Sequence, residues 1–395
     1  MHSILIVTSR NVVTPGGEFS LIKNRARALE ASWGFSSEII SLCNTALNVA
    51  DGDEAFGEGT YIRRNFMNPV ALLSGYEALI KEAENALQKK KYQAVLLSGA
   101  GMLRYVDRIK RCVSSETLVC ADVHGYFGDG KLLAKDESFV MGAFHTLAAV
   151  VEEHEQKQYL KRFDRIFVVS AAYRDFLCEV ACCRPSQFYI VPCATGESPS
   201  FTEKESAEYR HLYRAKYHLA DDEMLLVYSG GASSWQCLPE TVKLYRALKE
   251  KRRVRLLILS GDKEGILAAI EGADDVMVDS YRPTELPEVF CAADFFVMLR
   301  ADVPTNHFAY PNKFLEYAAA RKPVIATPYV CDVAQQIEQA GVGILFRNDI
   351  DKLVEDMNGF DCAPEAFDEV VVQNAFQTTL VPFASDLNEA ANSAR

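Results

Sequence analysis

Short apolar runs alternate with longer segments of helical periodicity along most of the chain. Strands of a parallel sheet are buried on both faces and are joined by crossover helices, so this alternation predicts an α/β protein. We predict two doubly wound, Rossmann-like domains that face a cleft. The predicted strands lie at residues 4–8, 37–41, 94–99, 117–122, 165–170, 188–192, 224–230, 255–261, 275–280, 294–299, 323–327 and 342–346.

One polar segment separates the two sets of predicted strands. The sequence ATGESPSFTEKES (194–206) is rich in small and charged residues and lacks apolar periodicity. We interpret it as an interdomain linker, and a chain of 395 residues is long enough for two domains. The predicted domains are 1–198 and 199–375, followed by a tail over 376–395.

The charge of the chain argues against a nucleic-acid partner, because the formal net charge is −12. Residues 1–198 carry 22 basic and 23 acidic side chains, whereas the remainder carries 20 and 31. The near-neutral first half could approach an anionic membrane surface and associate with it peripherally. No basic amphipathic helix supports that association strongly.

The sequence predicts a cytoplasmic protein that could work at the inner face of the membrane. No apolar run approaches the roughly 20 residues that a membrane-spanning helix needs. The first residues, MHSILIVTSR, read as a strand and a polar turn, without the basic region and cleavage site of a signal peptide.

The eleven cysteines do not form a recognisable disulfide or zinc pattern. Most lie in apolar strand-like runs or in helical segments. The adjacent pair Cys182 and Cys183 has no second pair nearby to complete a zinc site. We predict reduced, mostly buried thiols and no metal site.

The strongest candidate for chemistry is the run AYPNKFLEYAAARKPVIATPYVCDVAQQIEQAGVGILF (309–346). It predicts a helix, a short buried strand, a second helix and another strand. Pro311 suits the first helical turn, where its missing N–H costs nothing. The first-turn N–H groups are then free to bind an anion. These groups belong to Asn312, Lys313 and Phe314.

Lys313 and Glu316 are three residues apart and share one face of this helix. The arrangement would hold a diphosphate at the helix tip and a hydroxylated ring against that face. The alternative is an ordinary surface ion pair, worth a few tenths of a kcal/mol. The surrounding helix is apolar enough to be mostly buried, which favours a ligand as the partner of these charges.

The 309–346 run closely resembles the donor-binding segment of retaining, GT-B-fold glycosyltransferases of the family-4 type. The resemblance implies transfer of a sugar from a nucleoside-diphosphate sugar, such as a UDP-sugar, with retention of configuration. The acceptor would be a glycan or a lipid-linked glycan of a bacterial envelope polysaccharide, such as capsule or O-antigen. No metal and no cofactor are implied beyond the nucleotide sugar itself. The domain 1–198 would then face the acceptor, the domain 199–375 would bind the donor, and the tail could cross back to the first domain.

In this family the second glutamate of an E-x7-E pattern binds the ribose hydroxyls, and Glu316 matches it. The first glutamate, which meets the donor sugar, is replaced here by Phe308. The segment therefore supports nucleotide binding better than it supports a particular sugar.

Two glycines follow the first predicted strand in TPGGEFS (14–20). Glycines before a helix let the backbone approach a ligand, and a helix N-terminus favours negative charge. A plain turn is the alternative. The position of Gly16 and Gly17 matches the glycine-rich loop that contacts the donor diphosphate in the family.

Asp122 and His124 leave a strand end in ADVHGYFGDG (121–130), where polar side chains are solvated or bind ligands. They could be a capping aspartate and a surface histidine. The family places a similar Asp-x-His-Gly segment on the acceptor side of the cleft, with the histidine at the donor sugar. The resemblance makes His124 and Asp122 the catalytic candidates, with Asp122 orienting His124 or meeting the acceptor.

The family commonly carries an arginine and a lysine in the loop that here reads VYSGGASSWQCL (227–238), and both are missing. Backbone N–H groups and hydroxyls of Gly230, Gly231 and Ser234 could bind phosphate, but more weakly than a charged partner does. Another cation should therefore compensate. The candidates, in order of preference, are Lys313 and Arg300.

The segment VDSYRPTELPEVFCAADFFVMLR (278–300) matches the part of the family whose backbone reads the nucleotide base. Tyr281 or Arg282 would lie at the base edge. Arg282 could instead be a solvated loop charge.

Two other function classes remain open. The replacement at Phe308 and the missing basic pair allow a catalytically impaired GT-B-like accessory protein that binds a nucleotide or a sugar. A dinucleotide-dependent oxidoreductase is less favoured, because the chain lacks G-x-G-x-x-G followed by an acidic residue about 20 positions later.

Overall fold

The computed structural model describes residues 3–9, 17–44, 59–64, 69–99, 101–126, 128, 139–194, 201–270 and 272–393. The chain divides into two compact units. Unit 1 comprises Met1–Gly196 and Asn374–Arg395, and unit 2 comprises Glu197–Gln373. Unit 2 is therefore continuous in sequence, whereas unit 1 is assembled from two segments.

Unit 1 is built on a parallel sheet. Its strands are β1 (Ser3–Thr8), β2 (Ser36–Asn44), β3 (Gly59–Arg64), β4 (Ala94–Ser98), β5 (Leu118–Val123), β6 (Arg165–Val168) and β7 (Phe188–Ile190). Within the described ranges these seven strands are ordered β3-β2-β1-β4-β5-β6-β7. Every residue of β1 and β4 is buried, as expected for central strands covered on both faces.

Unit 2 contains a second parallel sheet. Its strands are β8 (Met224–Ser229), β9 (Val254–Leu259), β10 (Met277–Asp279), β11 (Phe295–Met298), β12 (Val324–Ala326) and β13 (Gly343–Leu345). The described strands are ordered β10-β9-β8-β11-β12-β13, which is the 3-2-1-4-5-6 order of nucleotide-binding Rossmann sheets. The order reverses between β8 and β11, and ligands of such sheets bind at the carboxyl ends of the strands at that point.

Helices flank both sheets. In chain order they are α1 (Gly17–Trp33), α2 (Pro69–Lys89), α3 (Val106–Lys110), α4 (Phe139–Tyr159), α5 (Ala171–Ala181), α6 (Glu203–Lys216), α7 (Leu238–Lys249), α8 (Lys263–Ala269), α9 (Leu286–Phe290), α10 (Pro304–His307), α11 (Asn312–Ala319), α12 (Cys331–Ala340), α13 (Ile350–Asn358), α14 (Pro364–Asn374), α15 (Phe376–Thr379) and α16 (Val381–Ser393). None of the described helices is long and apolar enough to cross a membrane.

The last helix, α16, packs on the sheet of unit 1. The ring of Phe383 lies edge-on to that of Phe167 in β6, with the centroids 4.9 Å apart. The Asp386 carboxylate accepts hydrogen bonds from Arg165 Nε at 2.7 Å and from the Tyr189 hydroxyl at 2.5 Å. These contacts make the C-terminal segment a structural part of unit 1.

The predicted fold class is confirmed, since both units are parallel sheets flanked by helices, and every predicted strand is present. The sequence missed β3, whose sequence is GTYIRR. This strand lies at the edge of the sheet and none of its residues is buried. It therefore lacks the apolar run that marks the central strands.

The predicted linker over 194–206 is too long at its C-terminal end. Helix α6 begins at Glu203, and its N-cap is a capping box: the Thr202 hydroxyl accepts from the Glu205 amide, and the Glu205 carboxylate accepts from the Thr202 amide. The T-x-x-E signature was present in the sequence. Residues 195–200 lie outside the described part of the chain.

All eleven cysteines lie within the described residues and carry free thiols, but the prediction that most are buried is wrong. Five are buried, and the exposed ones are Cys112, Cys182 and Cys331. In the part of the chain that the structure describes, no three His, Cys, Asp or Glu side chains are grouped to hold a metal ion.

Candidate functional site

A buried ionic cluster lies at the carboxyl end of β5 in unit 1. Asp122 is 2% exposed, and its two carboxylate oxygens have different partners. Arg25 Nη1 donates to Oδ1 at 2.6 Å, and His124 Nε2 lies 2.6 Å from Oδ2. The structure thus brings the predicted pair Asp122 and His124 together and adds Arg25 to it.

Arg25 was missed because it lies 97 residues before Asp122 in the sequence. It belongs to α1, where it occupies the same buried stripe as Leu21, Ile22 and Leu29. A charged residue on an apolar helical stripe needs a partner. That was the only sequence signal available for it.

Arg25 and His124 keep Asp122 ionised. Burial alone would raise the pKa of Asp122, but the charge of Arg25 and the interactions with His124 outweigh it and hold this pKa well below its usual range. An ionised carboxylate only accepts hydrogen bonds. His124 Nε2 must therefore carry a proton, which leaves Nδ1 as the acceptor of the neutral ring.

The glycine-rich segment of unit 1 is described only in part. Gly17 is the first residue of α1, as expected for a glycine that opens a helix. Gly16 lies outside the described residues.

In unit 2, both glycine amides of the loop after β8 are already hydrogen-bonded, one to β9 and one within the loop. The Gly230 amide donates to the Leu259 carbonyl at 3.0 Å, and the Gly231 amide donates to Gln236 Oε1 at 2.9 Å. This corrects the prediction that these two amides could bind phosphate, because both are already occupied. Ser234, in contrast, is exposed at the start of a 3₁₀ turn and can still offer its hydroxyl.

The two glycines of this loop differ in the room around them. A Cβ on Gly230 would lie 3.1 Å from the Tyr228 hydroxyl and 3.2 Å from Gln236 Oε1, whereas one on Gly231 would lie 3.6 Å from the same Gln236 atom. We expect Gly230→Ala to lower the free energy of unfolding by about 1–3 kcal/mol through overpacking. Gly231→Ala should cost clearly less. Thermal unfolding of both variants tests this, and equal losses would contradict the assigned role of Gly230.

The same loop is fastened to the chain that follows β11. The Trp235 carbonyl accepts from the Ala301 amide at 3.1 Å and from Asn306 Nδ2 at 3.1 Å. Asn306 is buried and also donates to the Ala301 carbonyl at 2.8 Å. These bonds hold the carboxyl ends of β8 and β11 in a fixed relation at the switch point of the sheet.

Arg300 lies at this switch point and is 8% exposed. Its Nη1 donates to the Leu299 carbonyl at 2.8 Å. Among the described residues no carboxylate lies within ion-pair distance of Arg300. The titratable groups around it are instead the hydroxyls of Tyr228 and Tyr317 and a cysteine thiol.

The surroundings of Arg300 do not compensate its charge. Burial lowers the pKa of Arg300 and raises that of Tyr228 to about 12, so the neighbouring hydroxyl is neutral at physiological pH. A buried cation is costly unless an anion accompanies it. The site is therefore suited to bind an anionic group.

Lys313 is paired, in contrast to Arg300. Its Nζ lies 2.6 Å from Glu316 Oε2, and both side chains are about a quarter exposed. This is the i,i+3 ion pair that the sequence left open as the alternative. Of the two candidate cations, Lys313 is thus paired with a carboxylate, whereas Arg300 has no carboxylate partner among the described residues and is the one left for an anionic ligand.

The start of α11 also differs from the prediction. Pro311 is the N-cap, with φ −66° and ψ 128°, and helical residues begin at Asn312. The Phe314 amide donates to the Pro311 carbonyl at 3.1 Å and is not free for a ligand. The amides of Asn312 and Lys313 have no hydrogen-bond partner within the described residues.

The two predicted base-reading residues have different surroundings in the structure. The Tyr281 hydroxyl lies 2.5 Å from Lys216 Nζ and 2.6 Å from the Tyr217 hydroxyl. Arg282 is 79% exposed and forms an i,i+3 ion pair with Glu285 at 2.9 Å. Arg282 therefore matches the solvated loop charge that was the alternative, and Tyr281 remains a candidate.

Comparison with known proteins places the chain in a structural class. The structure matches a glycosyltransferase from Rickettsia africae with a TM-score of 0.66 and 14% identity, covering 99% of this chain and 98% of that one. It also matches the lipopolysaccharide outer core galactosyltransferase WaaB, with a TM-score of 0.64 and 12% identity over 100% of both chains. The chain thus has the two Rossmann-like domains of the GT-B fold.

A further match is HepE from Anabaena, solved in complex with UDP, with a TM-score of 0.61 and 12% identity over 100% of both chains. Residues 226–360 match the family model described as Glycosyl transferases group 1. This segment includes most of β8 together with Arg300 and α11. None of the curated proteins matches the sequence of this chain.

Proposed function

We propose that this protein is a retaining, metal-independent glycosyltransferase of the family-4 type. It moves a sugar from a nucleoside-diphosphate sugar to a glycan or lipid-linked acceptor of a bacterial envelope polysaccharide, such as capsule or O-antigen. The observation that carries the proposal is the buried Arg300, which has no carboxylate partner among the described residues at the switch point of unit 2. The match of residues 226–360 to group 1 glycosyltransferases supports it. Complexes of the structurally similar HepE with UDP and with UDP-glucose agree with it.

The proposed donor site provides what sugar transfer requires. Negative charge develops on the leaving β-phosphate, and prearranged donors stabilise it. The guanidinium of Arg300 offers a planar fork that suits phosphate oxygens. The amides of Asn312 and Lys313 at the start of α11 and the hydroxyl of Ser234 add neutral donors.

We assign Glu316 to the ribose hydroxyls and Lys313 to a supporting role beside it. An ionised carboxylate can accept hydrogen bonds from both ribose hydroxyls, and the ion pair with Lys313 holds the carboxylate in place. Tyr281 is assigned to the edge of the base. His124 of unit 1 is assigned to the sugar, and Asp122 is assigned to the orientation of His124.

Glu316→Ala should weaken UDP binding at least about tenfold, because hydrogen bonds to a charged group contribute about 1.5–3 kcal/mol. Isothermal titration with UDP measures this. Glu338→Ala is the matched control, since Glu338 is an exposed glutamate of unit 2 that is paired with Arg347. If the two variants bind UDP equally well, Glu316 does not contact the ribose.

The function itself is tested by titration with UDP and GDP, followed by assays of hydrolysis and transfer from their sugars. Membrane extract serves as the source of acceptor, and the anomeric configuration of the product is read by NMR. Transfer with retention is the expected result. Binding without any turnover would instead indicate the accessory protein, and failure to bind either nucleotide would reject both functions.

A further inference from the structure

Among the described residues of unit 1, Arg25 is the most deeply buried charged residue that the proposed function leaves unexplained. It is 3% exposed, and its guanidinium lies over the ring of Phe167, 5.0 Å from the centroid. Its Nη1 donates a hydrogen bond to Asp122, while its buried Nε has no hydrogen-bond partner within the described part of the chain. The guanidinium thus forms an ion pair with Asp122 and packs against the ring of Phe167.

We propose that Arg25 is a positioning residue that holds the Asp122 carboxylate and thereby fixes the orientation and protonation state of His124. Arg25 takes Oδ1 and leaves Oδ2 to His124 Nε2. The imidazole then has one defined tautomer, with the proton on Nε2 and the acceptor at Nδ1. The role of this arrangement in sugar transfer rests on the proposed function, whereas its effect on His124 does not.

Arg25 and a protonated His124 are two cations that compete for one carboxylate. Arg25 is always charged, so it neutralises Asp122 before His124 takes up a proton. Protonation of His124 would place a second positive charge near Arg25 for little further gain. Without Arg25, a protonated His124 becomes the only counter-ion of a buried carboxylate, and its charged form is favoured.

Arg25 and His124 are the charged or titratable groups that act most strongly on the pKa of Asp122. Cys120, two residues earlier on β5, is fully buried, and burial raises the pKa of its thiol well above the usual value. Asp164, Arg165 and Asp386 act on Cys120 but are not among the largest influences on Asp122. The Cys120 thiol is therefore neutral and adds no charge next to Asp122.

The experiment is an NMR titration of the full-length chain labelled at histidine, with the His124 signals assigned by His124→Gln. In the wild type we expect the neutral ring to carry its proton on Nε2. Arg25→Met should shift the protonation equilibrium of His124 about tenfold toward the charged ring. Arg25→Lys, which keeps the charge, should restore an equilibrium close to that of the wild type.

Arg27→Met is the matched control, because Arg27 lies on the same helix and is exposed. It should leave the titration of His124 unchanged. An unchanged titration of His124 in Arg25→Met would overturn the proposal. If that variant does not fold, the tautomer of His124 in the wild type is the test. A neutral ring that carries its proton on Nδ1 would overturn the proposal equally.

The enzymatic readout separates this inference from the proposed function. The acidic limb of the pH dependence of kcat should move to higher pH in Arg25→Met by the same amount as the NMR titration, with a smaller change in KM for the donor. If no transfer is found while the NMR shift appears, the proposed function fails and the positioning role stands. If transfer is found but neither the NMR titration of His124 nor the pH dependence of kcat changes in Arg25→Met, the positioning role fails.

Discussion

Arg300→Met should weaken the binding of UDP roughly 10- to 150-fold and leave the binding of uridine nearly unchanged. This loss of affinity corresponds to about 1.5–3 kcal/mol, which is what a hydrogen bond to a charged group contributes. The selectivity follows because Arg300 is assigned to the diphosphate and contacts neither the base nor the ribose. Isothermal titration with both ligands measures it.

The same variant should not lose stability in the absence of ligand. Methionine removes a buried cation that has no carboxylate partner among the described residues, and such a charge opposes folding. We expect an unchanged or higher Tm together with the lost affinity. Arg282→Met is the control, because Arg282 is exposed, and it should alter neither property appreciably. Wild-type affinity for UDP in Arg300→Met would remove the main support for the donor site.

Asp122→Asn should lower the stability of unit 1 by about 3–5 kcal/mol, which is typical when one partner of a buried ion pair is removed. The substitution leaves Arg25 buried without its counter-ion. For a domain of this size the loss corresponds to a decrease in Tm of about 6–20 °C. Differential scanning calorimetry measures the change.

The matched control is Asp107→Asn, which breaks the exposed ion pair with Arg162. Exposed pairs contribute about 0–1 kcal/mol, so this variant should unfold close to the wild type. Similar losses for the two variants would show that the Arg25–Asp122 pair is no more important than a surface pair.

The effect of Asp122→Asn should also depend on pH. The pKa of Asp122 is lowered in the folded state, so its stabilising effect is complete above the usual carboxylate pKa of about 4. It is lost only as the pH falls through the lower pKa of the folded protein. The gap in stability between the variant and the wild type should therefore be constant from neutral pH down to about pH 4 and shrink in stronger acid.

The sequence predicted the elements that depend on local composition. Central strands such as β1 and β4 are continuous apolar runs, and their burial on both faces follows directly. The edge strand β3 has no such run, since what makes it a strand is pairing with β2. Its identity depends on a neighbour that its own residues do not reveal.

The candidate site was predictable by residue type but not by partner. The sequence placed Lys313 and Glu316 on one face, and that local pair is present. It could not show that Arg300 has no carboxylate partner in the described structure, because this depends on every chain segment around the side chain. It also could not show that Arg25 would meet Asp122 across 97 residues. The prediction consequently preferred Lys313 to Arg300.

The partners of the Gly230 and Gly231 amides could not be predicted from the sequence either. Glycines at 230 and 231 suggested open N–H groups, yet the partner of one is a carbonyl on β9 and that of the other is a side chain in the loop. Whether an amide is free depends on the geometry of the folded loop. Composition alone does not determine it.

The return of the last helix to unit 1 has a consequence for how the protein is made. Unit 2 is one uninterrupted stretch, so all of its residues are synthesised before the segment Asn374–Arg395 that belongs to unit 1. Unit 1 is begun first but lacks Phe383 and Asp386, which cover β6 and β7, until unit 2 has been synthesised. Domains fold as units once their residues are available. The half of the protein that is translated first is therefore the half that is completed last.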